Sequence, residues 1–481
     1  MATQQARPGV VLAVSSLAAF LAFLDVTIVN IAFPALSAEF ATTSMGALSW
    51  VFSGYNVAFA ALLIPAGRLA DLLGRRRVFL AGLTLFGIAS VVCALAPTAA
   101  VLVAARVLQA VAAALLAPSS LALLLPAFAP ERRGFAVGTW GAMGGIAAAA
   151  GPALGGLLVD GLGWRAVFFV NLPVVVVTLV VGATVLAESR DERSGLPDPF
   201  SVLLLGAGVA LLSLGIVSGE DGGWTAPATA VPLLAGTALL AVFVLRSARV
   251  PNPLVELALF RLRAFAGATA GYLVFSAAFY ALLLANVLFL TGVWRYDVLA
   301  AGLAVTPGPL MAAVASTVGG RVADRFGARA SIVPGALLFT CGCVLFSTLI
   351  GPVPAYATTF LPATLLTGTG VGLVFSGLGT AAVAQLPAGR YATGSAVGTC
   401  ARQIGAVFGI SLLLSGLSAA GTTLPPFRTA WIVMAAGALV AAACGVVVGA
   451  VRAQRMDAAV MPVPARASAW DCSARPPSTA G

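Results

Sequence analysis

The sequence predicts an all-α membrane protein with 14 transmembrane helices, arranged as two pseudo-symmetric six-helix bundles plus two inserted helices. Three observations lead there. Hydrophobic residues make up 60% of the 481 positions and charged residues only 9%, too few charges to cover a surface in water. The chain divides into apolar runs long enough to span a bilayer, separated by short polar segments. The arginines fall overwhelmingly on one side of those runs.

The runs lie at about 10–36, 47–66, 78–97, 101–127, 134–158, 166–187, 199–218, 228–247, 266–292, 298–319, 331–351, 356–380, 391–418 and 428–451. They are continuously apolar rather than alternating, so they read as helices and not as barrel strands. No small-residue cleavage site follows the first run, which is expected to remain as the first span. With the N-terminus inside, 21 arginines face the cytoplasm and only Arg165, Arg295 and Arg428 face out, while Arg106 and Arg402 fall inside helices. That asymmetry puts both termini in the cytoplasm.

The expected divisions are 1–198, a six-helix bundle ending in the charged linker Glu188 to Asp198; 199–248, the two extra helices; 249–452, an interfacial segment and the second bundle; and 453–481, a disordered cytoplasmic tail.

Composition also excludes chemistry. The net charge of +10 is scattered as single arginines and short groups, which suits membrane topology and not a nucleic-acid partner. There is no Lys, so no Walker A phosphate loop, and no His, so no His metal site or His proton relay. Cys93, Cys341, Cys343, Cys400 and Cys444 sit in apolar runs as small packing residues, Cys472 lies in the tail, and no metal or other cofactor is expected.

The chain repeats itself. Gly67-Arg68-Leu69-Ala70-Asp71-Leu72-Leu73-Gly74-Arg75-Arg76 follows the second run and Gly320-Arg321-Val322-Ala323-Asp324-Arg325-Phe326-Gly327 the tenth. Both read as short cytoplasmic turns. With helices 7 and 8 taken as an insertion, each copy occupies the same place in a six-helix half, a transporter construction with its substrate site between the halves.

Asp25 is the exceptional acid, because it stands inside the first run whereas nearly all others lie in loops or at helix ends. A carboxylate at membrane depth is costly and marks a functional site; the bland alternative is a permanent Arg pair that fixes packing. Arg106 is the natural partner, with Gln109 three residues on and on nearly the same helical face. A protonated Asp25 would release Arg106 and a charged one hold it. Arg402 and Gln403 form a second intramembrane pair without an evident carboxylate, either lining a cavity or binding backbone carbonyls. Asn30, Tyr55, Asn56, Phe275, Phe279, Tyr280 and Asn286 are candidates for a cavity taking hydrophobic or cationic ligands, with lipid contact or helix packing the alternative for each. Gly151, Pro152, Gly155 and Gly156 give a small-residue face where helices approach closely.

On these residues the chain resembles the major facilitator superfamily, in particular its fourteen-helix drug:proton antiporter branch, over nearly its whole length. Asp25 to Pro34 resembles that branch's helix 1 motif, Gly67 to Arg77 the superfamily's signature loop, Arg106 with Gln109 the helix 4 motif, and Gly151-Pro152 with Gly155-Gly156 the antiporter motif of helix 5. Trp164-Arg165 and Asn171-Leu172-Pro173 match the start of helix 6. Leu72 departs from the usual Arg of the signature loop, although the second copy keeps Arg325, and Thr291 stands where many relatives have Gln. The resemblance implies a proton-linked role for Asp25, cytoplasmic gating by Asp71 and the arginines after it, and export of antibiotics, dyes or antiseptics by a monomer driven by the proton gradient. Composition rich in Arg, Ala and Gly points to the cytoplasmic membrane of a high-GC bacterium. A proton-coupled importer on the same fold is the alternative, and a sensor or membrane enzyme lacks the domain or the clustered catalytic residues it would need.

Overall fold

The computed structural model describes residues 8–128, 133–190, 198–223, 225–250, 253–386, 391–420 and 423–451. The expected tail at 453–481 and most of the 188–198 linker lie outside them. The chain forms α1 (Pro8–Glu39), α2 (Met45–Leu73), α3 (Arg75–Ala94), α4 (Ala99–Leu124), α5 (Arg133–Leu162), α6 (Ala166–Phe169), α7 (Asn171–Val185), α8 (Pro199–Gly222) and α9 (Pro227–Ser247). After a 3-10 turn at Leu257–Arg261 come α10 (Arg263–Gly292), α11 (Val298–Val305), α12 (Pro307–Phe326), α13 (Arg329–Leu349), α14 (Leu361–Ala384), α15 (Tyr391–Ala420) and α16 (Leu424–Val448).

Among the described residues, 13 helical stretches are long and apolar enough to cross a membrane; α5 adds the shorter apolar stretch Ala150–Leu162. Helical boundaries follow local chemistry. Ser44, Asp198 and Asp297 accept hydrogen bonds from the backbone N–H groups of Ala47, Ser201 and Ala300, closing otherwise unpaired helix starts. Two of the apolar runs contain a break. Pro307 cannot donate a backbone hydrogen bond, and α11 ends just before it. Pro173 has the same effect on the passage from α6 to α7.

The helix pairings occur in two matching sets. α1 packs on α4, α5 and α7, and α10 packs on α14, α15 and α16. α4 packs on α2 and α3, as α14 does on α12 and α13. The two sets meet through α2 against α15 and α5 against α11 and α12, contacts that are themselves equivalent. The hairpin of α8 and α9 lies against α2 and α15, covering one of those seams. A hydrogen bond of 2.8 Å between the Ser213 and Ser411 hydroxyls ties α8 to α15 inside this apolar contact.

The repeated motifs are helix ends rather than turns, which corrects the sequence reading. Gly67 to Asp71 form the last turns of α2, and Gly320 to Arg325 belong to α12. The chain reverses only at Gly74 (φ +114°) and Gly327 (φ +92°), the two positions where a side chain would be strained. Residues such as Ala, Leu and Arg favour helix, so the polar sequence projects beyond the apolar part without ending it.

At Gly74 the chain after α7 closes the site. The Glu188 carboxylate accepts from the backbone N–H of Arg76 (3.1 Å) and Arg77 (3.3 Å), and Ser189 O accepts from Arg75 N–H (3.0 Å). An anion at a helix N-terminus satisfies unpaired donors and the helix dipole together. At Gly327 the chain after α16 plays the same part through Gly449 O and Val451 O, which accept from Arg329 and Ala328.

The 249–264 segment was expected to lie at the lipid interface. Its described part docks on protein instead: Leu254 is buried against Val57, Leu204 and Val407, and Leu259 against Phe265, Leu386 and Val397.

At the base of the α8–α9 hairpin Asp198 caps α8 and pairs with Arg246. The Arg246 hydrogen bond holds its carboxyl well below the usual carboxylate range. A lowered folded-state value means that the contact's contribution is complete above about pH 5 and disappears as pH falls through Asp198's own titration.

Two outcomes follow. Gly74→Ala, which forces a side chain into positive φ and onto the Glu188 carboxylate, lowers the melting temperature in detergent, at a cost of about 1–3 kcal/mol; Gly161→Ala, which meets open space, leaves it unchanged. The melting-temperature gap between native protein and Asp198→Asn stays constant from about pH 8 to 5 and closes in more acid solution.

Candidate functional site: a buried ion pair beside a large cavity

Asp25 lies midway along α1 with no exposure to solvent, and Arg106 of α4 is 1% exposed. Arg106 Nη1 donates to Asp25 Oδ2 at 2.5 Å and to Gln109 Oε1 at 2.7 Å, and Gln109 Nε2 donates to Asp25 Oδ1 at 2.8 Å. The three predicted residues therefore close a ring. Charge-assisted bonds of this length are strong, and such a pair survives burial only when its remaining donors and acceptors are also satisfied.

Residues the sequence reading did not assign to this pair complete that requirement. Asn171 Nδ2 of α7 lies 3.3 Å from Asp25 Oδ1, and Ser90 Oγ of α3 accepts from Gln109 Nε2 at 3.0 Å. Val51 O of α2 accepts from Arg106 Nε at 3.2 Å. The Tyr55 ring lies 4.3 Å from the Arg106 guanidinium carbon, an additional cation–π contact. Five helices of the first set thus converge on one ion pair.

A cavity of about 1630 Å³ runs between the two helix sets beside this cluster. Asn30, Tyr55, Phe279 and Tyr280 line it, as do Asn286, Arg402 and Gln403. Phe275 does not: it is fully buried behind the wall, 5.4 Å from the Phe375 ring and 5.0 Å from that of Phe339. Its position on α10 turns it into the second helix set, and Phe375 of α14, not singled out from sequence, stands on the wall instead. Asn56 also leaves the main wall; its Oδ1 accepts from Gln403 Nε2 at 3.2 Å across the seam of α2 and α15. Asp25 and Arg106 are not on the main wall. Arg106 does border a small void of about 10 Å³ shared with Asn30, Tyr55 and Tyr280, a space near the size of one water.

The cavity reaches the end of the molecule that carries Asp71, Arg75, Glu256 and Arg261. Asp71 and Arg75 pair one turn apart across the end of α2, Arg75 Nε to Asp71 Oδ1 at 2.9 Å. The second motif does not repeat the pair. Ala328 occupies the place of Arg75, Asp324 and Arg325 are exposed, and among the described residues no ion pair reaches Asp324. Among the described residues the Asp71–Arg75 ion pair therefore has no counterpart at Asp324.

The opposite end is sealed by a continuous apolar core joining both sets, in which Phe33, Phe52, Phe168, Phe289 and Trp294 are buried. The glycines of α5 let it approach α1 within the first set and α11 across the closure. A Cβ at Gly151 would strike Thr27, one at Gly155 would meet Ile28 at 2.9 Å, and one at Gly156 would meet the Leu299 and Val298 backbone at 2.8 and 2.9 Å. Gly302 of α11 abuts Pro152 in return. Backbone approach of this kind needs small residues.

Comparison with known proteins bears on this arrangement. The chain is 36% identical over 415 residues to the multidrug resistance protein Stp of Mycobacterium tuberculosis, covering 86% of this chain and 76% of that one. It is 33% identical to the tetracenomycin C resistance and export protein of Streptomyces glaucescens, covering 85% and 75% of the two chains. It is 32% identical to the methylenomycin A resistance protein of Streptomyces coelicolor, covering 82% of each. Among solved structures it resembles a bacterial homologue of the human lysosomal transporter Spinster, described as inward-facing and unoccupied, with TM-score 0.64, 18% identity, and 94% and 98% of the two chains covered. Residues 15–410 match the Major Facilitator Superfamily, and the chain belongs to that family of membrane transporters.

Proposed function

We propose that this transporter exports hydrophobic or amphipathic drugs and antibiotics across the cytoplasmic membrane of a bacterium, in exchange for protons, by alternating access. The observation that carries the reading is the position of Asp25: an acid with no solvent exposure, paired to Arg106, one residue from Val26 on the cavity wall. Its relatives' names supply the cargo class, since they include multidrug resistance, tetracenomycin C export and methylenomycin A resistance proteins.

In this reading α5 is the fourteenth span, residues 1–198 and 249–452 are the two bundles, 199–248 is the insertion, and both termini are cytoplasmic. The mouth bearing Asp71 and Arg75 then faces the cytoplasm, and the conformation is inward-open. Chemistry on the cargo is not part of the activity, as this is a transporter and not an enzyme.

Coupling works through the ion pair. When Asp25 takes a proton, Arg106 loses its counter-charge and keeps only neutral acceptors, Gln109 Oε1 and Val51 O. Removing one partner from a buried pair is worth about 3–5 kcal/mol, enough to bias two helix arrangements. Tyr55 is the mechanical link, because the same ring touches Arg106 and faces the cavity. Binding of cargo and binding of a proton are then coupled reciprocally. Gly156 against Val298 and Leu299, with Gly302 against Pro152, forms the backbone seam that must part when the sealed end opens, while Gly151 and Gly155 hold α5 to α1 within the first set.

In proteoliposomes with an imposed pH gradient, Asp25→Asn should lose at least about tenfold of its gradient-driven transport while retaining exchange of cargo down its own gradient. Undiminished gradient-driven transport by Asp25→Asn contradicts the coupling scheme. Gly156→Ala, whose Cβ meets unyielding backbone of α11, should hold the sealed end partly open. A thiol at Ala301→Cys, in a background lacking the native cysteines, then labels faster with Gly156→Ala than without it.

A further inference from the structure

Arg402 stands on the cavity wall in the body of α15, away from the mouth. Its Nε is buried with no hydrogen-bond partner, and among the described residues no carboxylate pairs with it. The neighbouring Gln403 leaves its Oε1 buried and unpartnered as well, its amide nitrogen being used by Asn56. A guanidinium left without a counter-charge at membrane depth is costly unless something completes it.

The remaining wall decides what that something is. Its carboxylates, Asp71 and Glu256, are both near the mouth, and Asp71 is occupied by Arg75. Asp25 is behind the wall and held by Arg106. A cationic compound seated beside Arg402 would be repelled by it, with the wall's two carboxylates left at the mouth. An anion would find a fork of donors that suits a carboxylate or an ionised phenol. Aromatic surface lies beside that fork: the Phe375 ring is 6.0 Å from the Arg402 guanidinium carbon, and Phe279 stands edge-on to Phe375 at 5.6 Å, both rings on the wall.

We propose that Arg402 and Phe375 form an anion-binding subsite, and that the exported compounds are planar aromatic molecules carrying an acidic group. This rests on the export reading above and narrows the hydrophobic or cationic cargo expected from sequence to an aromatic acid. The acidic group pairs with the Arg402 guanidinium, and the ring system packs on Phe375 and Phe279. Aromatic flatness matters because the rings offer faces and edges rather than further polar anchors.

The test uses three probes of one shape: anthracene carboxylate, the methyl ester of the same acid, and anthracenylmethyl-trimethylammonium. Affinities are measured by equilibrium dialysis against the purified full-length protein. Native protein should bind the carboxylate about tenfold or more tighter than the ester, and the ester tighter than the cation. Arg402→Gln should bring the carboxylate down to the level of the ester, and Arg402→Lys should retain most of the preference. Equal affinities in native protein, a preference for the cation, no binding of any probe, or an unchanged carboxylate-to-ester ratio in Arg402→Gln each overturn the subsite. If Arg402→Gln does not fold, the rank order in native protein still decides. Proteoliposomes separate the two readings. Carboxylate bound through Arg402 but not moved by a pH gradient contradicts export and leaves the subsite standing. Ester moved by the gradient with no carboxylate preference contradicts the subsite and leaves export standing.

Discussion

The pairing of Asp25 with Arg106 in the dry interior of the first helix set is the constraint on which the rest depends. Two opposite charges at essentially zero exposure are stable only as a pair, and only with every remaining donor and acceptor met. That demand fixes how five helices are rotated about one another. α1 must present Asp25 inward, α4 must present Arg106 and Gln109 toward it, and α3, α2 and α7 must bring Ser90, the Val51 carbonyl and Asn171 into reach. The same rotation turns Val26 and Asn30 of α1 toward the cavity. In the proposed scheme a charge change at Asp25 is thus carried along α1 to the cavity wall.

The two ends of the molecule differ in the kind of contact they make. The sealed end is held by apolar side chains and by glycine backbones in close approach, interactions that are numerous, individually weak and short-ranged. The open end is organised by charge: Glu188 on the start of α3, and Asp71 with Arg75. Contacts of the first kind part without leaving any group unsatisfied, which suits a surface that must open and close. The α8–α9 hairpin is tied to α15 by a buried hydroxyl pair, and its own two helices are clamped together at the base by Asp198 and Arg246, so it shields a seam as a unit.

Much of this was legible in the chain itself. Apolar runs of the right length and one-sided arginines reveal a membrane protein because lipid leaves the backbone no choice but helix. Asp25, Arg106 and Gln109 were legible because ionised groups at membrane depth have so few bland explanations. Ser90 was not, and Asn171 was marked only by the helix 6 resemblance and not as a partner of Asp25, since small neutral polar residues occur throughout membrane helices and only the rotation of α3 and α7 aims them at the cluster. The same limit explains Phe275 and Phe375: both are aromatic and both are in spans, and only packing tells which faces the cavity. The motif around Asp324 looked equivalent to that around Asp71 because its first five residues match closely, yet the partner of Asp71 lies four residues further on, where the second copy has Ala328. The extension of α2 to Leu73 was hidden because its residues favour helix while looking like loop.

The most direct test of the account is the proton itself. In weakly buffered detergent solution, with a pH indicator present, addition of an exported compound should displace protons from the native protein in proportion to occupancy, and the signal should vanish in Asp25→Asn protein that still binds the compound. Equal proton release from both proteins, or none from the native one despite binding, would show that the carboxyl group of Asp25 is not the group whose protonation is coupled to cargo.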